Sequence, residues 1–593
     1  MKPFLKQVAD TFYDMHGAEL KHLAFIFPNR RSGVFFKKYL DERAVRLSAP
    51  AVEPAIMTIS DLFYRMNNRQ PVDHIKLLFM LYDIYRRQSH SDETFDDFCY
   101  MGEMLLGDFD DIDKYMVDAR QLFTNVENLN DISRDFAFLT ESQVQAIRSF
   151  WSSFQPESGQ PDKQSFLRVW SLLYPVYREL REKLAGENMA YEGMVYREVI
   201  ENIESMVVDY EKLVFVGLNA LTSAEKALLG YLQKEGKADF YWDYLSDMLK
   251  DPDNRASFFL RDNTRLFPSE YPLAEDETLT EDKTLAEEHP LAEDETLAEE
   301  YPFAEERPLI ETVGIPSRIG QAKQLYPLLR ELSSAKDFDP LKTAIVLPDE
   351  KLLMPVLNSI PENISCINVT LGYSLNGTPI ASLTASLQSL QKNRRETGDA
   401  VTFYHRDVAA ILRHKYVNAV CPAEAASLIK DIRDNNKVYV SPDELGLTPF
   451  LKLLFTSASS PSGISDYLMA VLTELQQQEV DTLEHEFINT YYNMVGRMRE
   501  MIEETRMEMT GDTYFRLLKQ MTDMIKIPFE GEPLSGLQVM GVLETRALDF
   551  ENIIILSVNE GVFPSRSASN SFIPYHLRRG FGLPTPEYHD SVR

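Results

Sequence analysis

The chain has 593 residues and carries 61 Lys and Arg against 92 Asp and Glu, a net charge of −31, with 44% hydrophobic and 11% aromatic residues. Several packed domains are implied, and disorder throughout is excluded. Cys99, Cys366 and Cys421 are odd in number, far apart and without CxxC or Cys/His spacing, which excludes a disulfide framework and a structural zinc site.

The N-terminus lacks the charged, apolar, small-residue order of a signal peptide, and no stretch approaches the roughly 18 uncharged apolar residues of a membrane helix. A soluble, cytosolic protein is expected.

The first strong element is the apolar run Leu23 to Pro28, read as a buried strand. Arg30 and Arg31 follow at a strand end and helix start, where backbone N–H groups add to their charge and phosphate binding is one role. Solvated surface arginines are the alternative. Thr58, Ile59 and Ser60, before Leu62 and Phe63, mark a helix start. Ile75 to Arg87 sets Ile75, Leu78, Phe79, Tyr82 and Tyr85 on one helical face, and helical patterning continues to about Ile200. Within it, Asp108, Asp110, Asp111 and Asp113 lack EF-hand spacing and read as a solvated helix edge.

Leu213 to Gly217 is a second buried strand, with a weaker one at Asp239 to Trp242. From Ala274 to Leu309 the sequence repeats every six residues, as AEDETL, TEDKTL, AEEHPL and their variants. Glu270 to Arg307 holds fifteen acidic and two basic residues, so it contributes 2 − 15 = −13 and leaves −18 for the rest. A period of six fits neither helix nor heptad, and Pro272, Pro290, Pro302 and Pro308 interrupt helices; an exposed acidic linker is expected. A decoy mimicking DNA is the functional alternative.

Thr343 to Pro348 is a third buried strand, and a second helical region runs from about Val401 to Met524. Leu537 to Val542 and Asn552 to Val558 close the series. Parallel strands covered by helices on both faces, in two α/β cores each with a helical insertion, are the economical reading.

Leu537 to Pro564, LQVMGVLETRALDFENIIILSVNEGVFP, is the most informative stretch. Thr545 and Arg546, Asp549 and Phe550, and the loop Asn559, Glu560, Gly561 should project from neighbouring strand ends, where open parallel sheets bind ligands. The stretch resembles motif V of UvrD-like superfamily 1 helicases, and most closely the AddB-like subunit of bacterial helicase-nucleases, through Arg546-Ala547-Leu548-Asp549-Phe550 and Asn559 to Pro564. Leu23 to Leu40 and Thr58 to Phe63 resemble earlier segments of the same family, in order.

The resemblance implies two RecA-like (P-loop NTPase-type) parallel-sheet domains, each interrupted by a large helical insertion. Their expected bounds are 1–65 and 196–265 for the first domain with its insertion at 66–195, a linker at 266–309, then 310–400 and 536–593 for the second with its insertion at 401–535. It also implies DNA contacts at Arg30, Arg31, Thr58, Ser60, Thr545 and Arg546, and a motif V role for Arg546, Asp549, Phe550, Asn559, Glu560 and Gly561.

The chain departs from the active pattern. No GxxxxGK[ST] loop is present, and the strand at Leu213 ends in Gly217, Leu218, Asn219 where the family's motor has Asp-Glu. The ATP and magnesium of that motor are therefore not expected here. The chain also stops before the expected motif VI and the PD-(D/E)xK nuclease, whose divalent metal and iron–sulfur cluster lie outside it, and a fragment is the expected explanation. The basic clusters Lys37-Lys38, Arg86-Arg87, Lys392 to Arg395, Arg413 to Lys415 and Arg578-Arg579 are weaker phosphate candidates, with Phe35, Phe36 and Tyr575 as stacking candidates.

The expected function is a DNA-binding scaffold, a pseudo-helicase subunit in double-strand break repair and recombination. Its partners would be single-stranded DNA or DNA ends and an AddA-like motor subunit, in a bacterial-type, nucleoid-associated cytosol without membrane. An ATP-dependent helicase in its own right and a protein-interaction module without DNA affinity are the alternatives.

Overall fold

The computed structural model describes residues 2–593 apart from 48–52, 124–139, 142–144, 146–160, 207, 245–248, 252–253, 271–308, 337, 399, 479–481, 528–533, 565–570, 586–587 and 589–593. Nearly all of the expected linker thus lies outside the described residues.

The chain opens with helix α1 (Phe4–His16), strand β1 (Leu23–Phe27), α2 (Arg30–Leu47), β2 (Ala55–Thr58) and α3 (Ile59–Met66). A helical region follows, with α4 (His74–Ser89), α5 (Phe95–Lys114), α6 (Pro161–Gly186) and α7 (Glu192–Glu201). The chain then returns to β3 (Lys212–Val216), α8 (Ser223–Lys234) and β4 (Ala238–Tyr241). These four strands form one parallel sheet in the order β2-β1-β3-β4, with Phe25 opposite both Ile56 and Val214.

Beyond the linker come α9 (Arg318–Leu332), β5 (Thr343–Val346) and β6 (Ile367–Val369), then a second helical region that includes α10 (Pro379–Lys392), α11 (Pro461–Gln476), α12 (Thr482–Thr505) and α13 (Gly511–Met524). Strands β7 (Leu537–Met540) and β8 (Asn552–Ile555) complete a second parallel sheet in the order β8-β5-β7-β6, and α14 (Tyr575–Gly580) follows. Among the described residues the molecule is an α/β protein with two four-stranded parallel sheets beside three smaller ones, and each four-stranded sheet is entered, left for a helical excursion and re-entered.

Most of these strands form in short, largely apolar runs. All five residues of β1 are buried, as are all four of β5 and β7. Helices start where a side chain satisfies their free N–H groups: Asp73 accepts from Ile75 and Lys76 at α4, and Thr222 exchanges bonds with Glu225 at α8. The five apolar residues read on one face of α4 are all buried. One continuous core runs through both helical regions and takes in Ile573, Leu577 and Phe581 near the end of the chain. A second core packs α1 and α2 on the first sheet, and a third packs α9 on the second.

Several expectations need correction. β8 is not buried on both sides: Ile553 and Ile555 are exposed. The acidic run of α5 is not a solvated edge. Asp113 is fully buried against Arg197 at 2.5 Å, and Asp108 is buried against Arg578 at 2.8 Å. An unpaired carboxylate at such depth would be costly, so each is matched to an arginine brought by another element. Arg578, in the helix Tyr575–Gly580, therefore ties that helix to the first helical region and is not an open cation. Phe36 is likewise core, lying between the rings of Phe25 and Phe27.

Among the described residues no helix is long and apolar enough to cross a membrane, and no group of three or more His, Cys, Asp and Glu could hold a metal ion.

Candidate nucleic-acid interface

In an open parallel sheet the binding crevice lies beyond the C-terminal strand ends, where successive connections leave in opposite directions. In the first sheet that point is between β1 and β3, since β2 lies to one side of β1 and β3 and β4 to the other. Asn29 and the start of α2 flank it from β1, and Gly217 ends β3.

The crevice is filled by the turn that follows β7. Gly217 has a positive φ of 68°, and a Cβ on it would stand 2.7 Å from the Cβ of Ala547. Ser32 Oγ donates to the Arg546 carbonyl at 2.9 Å, and Asn29 Nδ2 donates to the Leu543 carbonyl at 3.2 Å. Phe35 meets Phe550 edge to face with ring centroids 6.3 Å apart. Arg31 reaches across to the Gln538 side chain on β7.

A carboxylate occupies the neighbouring anion position. α1 begins after Pro3, which offers no side-chain acceptor, and the Phe4 N–H donates instead to Asp549 Oδ2 at 2.8 Å. Negative charge there is favoured by the free N–H groups and the helix dipole. The same charge, after burial itself, helps to push the Tyr39 hydroxyl up to about 12.

The residues expected to contact DNA separate into three environments. Arg30 is open to solvent, 87% exposed at the side chain, with Asp61 at 3.8 Å. It lines a cleft of about 620 Å³ together with Asn29, Lys37, Thr58, Asp61 and Arg65. Lys37 pairs with Glu53 at 2.7 Å in the same cleft, so three cations face two carboxylates. Burial raises the Asp61 carboxyl, but hydrogen bonds from Thr58 and the charges of Arg30 and Arg65 outweigh it and keep the carboxyl below its ordinary value.

Arg31, Arg546, Asp549 and Phe550 belong to the contact between the two sheets. Burial lowers the Arg31 guanidinium to about 10 against the opposing charge of Glu544, and burial lowers that of Arg546 as well. Thr58, Ser60 and Thr545 serve local structure. Thr58 caps α3 in a reciprocal pair with Asp61, Ser60 donates to Glu192 at 3.1 Å, and Thr545 donates to the Val542 carbonyl at 2.8 Å. Asn559, Glu560 and Gly561 form an exposed turn closed by Val562 and Phe563 N–H groups on the Asn559 carbonyl.

No protein-family model and no curated protein matches the chain.

Most of the basic clusters are spoken for by the acidic excess. Arg87 pairs with Glu179 at 2.8 Å, Lys392 with Asp512 at 2.9 Å, Arg394 with Glu396 at 2.8 Å, and Lys415 with Glu484. Sequence reading missed Asn29, Ser32, Gln538 and Ala547, which make the inter-sheet contact. Gln538 carried a signal, as a polar residue inside an otherwise apolar strand, and Ala547 one by its place in the motif V-like run.

Proposed function

We propose that this chain is a DNA-guiding pseudo-helicase: two RecA-like halves held together as the scaffold subunit of a helicase-nuclease, with translocation supplied by an AddA-like motor partner. The observation that carries the reading is the seating of Leu543 to Phe550, the motif V-like turn, in the crevice of the first sheet. That turn brings the second half of the chain to the edge where Arg30, Lys37 and Arg65 line an open cleft. A strand of DNA would be held there through its phosphates, by lysine and arginine displacing counterions.

The reading as a helicase in its own right loses support from the same seating. The anion position on α1 is filled by Asp549 and the space over Gly217 by Ala547, so a nucleotide would have to displace both.

The test is a titration of the purified chain with single-stranded DNA at several salt concentrations. Removing Arg30 and Arg65 together should weaken binding and reduce the slope of log affinity against log salt by about 1 to 2. Unchanged affinity and slope would overturn the assignment. A rise in thermal stability on adding ATP with magnesium would favour the helicase reading instead.

A further inference from the structure

Of the basic run Lys392 to Arg395, Lys392 and Arg394 are held by Asp512 and Glu396, and Arg395 is left. It stands on the strand Arg395–Thr397, one edge of a three-stranded antiparallel sheet completed by Ala400–Tyr404 and Tyr439–Val440. Side chains alternate between the two faces of a strand, so the register sorts these residues. Phe403 and Val440 lie opposite each other and are buried in the core, with Val401 packed against the same core. Arg395, opposite Thr402, and Tyr404, opposite Tyr439, therefore share the other face.

That face is aromatic and open. Tyr404 and Tyr439 meet with ring centroids 5.9 Å apart, tilted by 52°, and the His405 ring meets Tyr404 edge to face at 4.8 Å. Tyr439 is 40% exposed, and Thr397 and Ala400 on the same face are exposed as well. The Arg395 guanidinium crosses the sheet and rests over the Tyr439 ring, 5.6 Å from its centroid. A planar cation laid on a ring is a surface on which nucleic-acid bases stack.

The charge around the rings selects the ligand. In a chain that carries −31, cations are commonly matched to carboxylates, as Lys437 is to Asp431 and Glu444. Among the described residues Arg395 rests on a ring and makes no ion pair, and Arg406, exposed two residues after Tyr404, makes none either. Asp407, the one carboxylate on the helix His405–Leu412, accepts from Asn393 Nδ2 at 2.9 Å. Rings beside unpaired cations fit a ligand both flat and anionic. A nucleotide strand is both, whereas a proline-rich peptide carries no phosphate and an acidic peptide no flat base. We infer that this sheet face is a second contact for single-stranded DNA, where a base stacks on the Tyr439–Arg395 pair beside Tyr404 and Arg406 meets an adjoining phosphate. The inference rests on the DNA-guiding reading for its ligand and adds a contact outside the Arg30 cleft.

The experiment titrates the full chain with a fluorescent thymidine oligomer and with an abasic oligomer of the same length and charge. Tyr404→Ala with Tyr439→Ala should weaken binding of the thymidine oligomer by about fivefold or more at every salt concentration and leave the abasic one unchanged, because stacking needs a base and releases no counterion. Tyr439→Phe keeps the ring and should bind as wild type does. Arg30→Ala with Arg65→Ala should instead weaken both oligomers and flatten the salt slope, so the cleft and the sheet face fail separately. In the wild-type chain, ultraviolet crosslinking to an oligomer carrying 5-bromouracil should join it to the peptide that holds Tyr404 or Tyr439, a readout that needs no variant. Unchanged affinity of the double tyrosine variant, equal loss on the abasic oligomer, or crosslinks confined to other peptides would overturn the inference and give the face to a protein partner. If the Arg30 and Arg65 variant still binds more weakly in that case, the DNA-guiding reading survives. No binding of either oligomer by wild type at low salt would overturn both.

Discussion

Gly217 and Ala547 touch across the two sheets so closely that a single added carbon on the glycine would lie 2.7 Å from the alanine methyl. The glycine also holds a backbone conformation that side chains resist. Gly217→Ala should therefore cost about 1–3 kcal/mol from overpacking and strain together. Ala547→Gly in the same chain should recover the steric part and, because Ala547 itself stands at a positive φ of 60°, ease its own backbone as well. A denaturant-unfolding cycle of the two single variants and the double variant measures the coupling.

Arg30 and Arg31 are neighbours in sequence with different consequences. Arg30→Ala, at an exposed site, should leave stability within about 0.5 kcal/mol while lowering affinity for single-stranded DNA. Arg31→Ala empties the partner position of the buried Gln538 and should cost about 1–3 kcal/mol of stability. Thermal unfolding and DNA titration of both variants separate the roles, and matching effects would contradict them.

Arg578 joins Asp108, Asp111, Ser571 and the Pro584 carbonyl. Arg578→Met should destabilise the chain by about 3–5 kcal/mol, because Asp108 is left buried and charged. Burial already pushes the Asp108 carboxyl up to about 6 against the pull of Ser571 and Arg578. The penalty should consequently shrink in acid, where the carboxyl takes a proton and needs no counter-ion. Urea midpoints of wild type and variant, followed from neutral pH to below about pH 6, check the trend.

His74 Nε2 lies 2.7 Å from Glu103 Oε2, and that hydrogen bond holds the imidazole above its ordinary value of 6.5. The raised group stabilises the fold fully below the unfolded value, and its contribution fades as pH rises through the folded one. The stability advantage of wild type over His74→Gln should be full well below pH 6.5 and fade as pH rises above it. An advantage that grew with pH would show that another group controls it.

The sheets are legible because four of their strands lie in apolar runs: Leu23 to Pro28, Leu213 to Gly217, Thr343 to Pro348 and Asn552 to Val558 read as strands, each running past the observed C-terminal end by one to three residues. β6 was not, since Ile-Asn-Val is three residues with a polar centre and its strand character comes from pairing with β7. The burial of Asp108 and Asp113 was illegible for a related reason. Their arginines stand at positions 578 and 197, and local pattern carries no trace of partners so distant. Exposure of Ile553 and Ile555 escaped because an apolar run looks the same whether one face or both are covered. At the candidate site, sequence marked Arg30, Arg546 and Asp549 as notable but not that they fall in different environments, which depends on how the two sheets meet.

The two helical regions touch as well: Asp96 at the start of α5 accepts from the backbone and hydroxyl of Thr510 ahead of α13, and Asp73 pairs with Arg497 at 2.6 Å. With the sheet contact at Gly217 and the Arg578 anchor, the halves are braced at three separated places. A frame tied at three points cannot shear or rotate by loosening one of them. The arrangement resembles a splint, in which the loss of any one brace leaves the other two to keep the halves aligned.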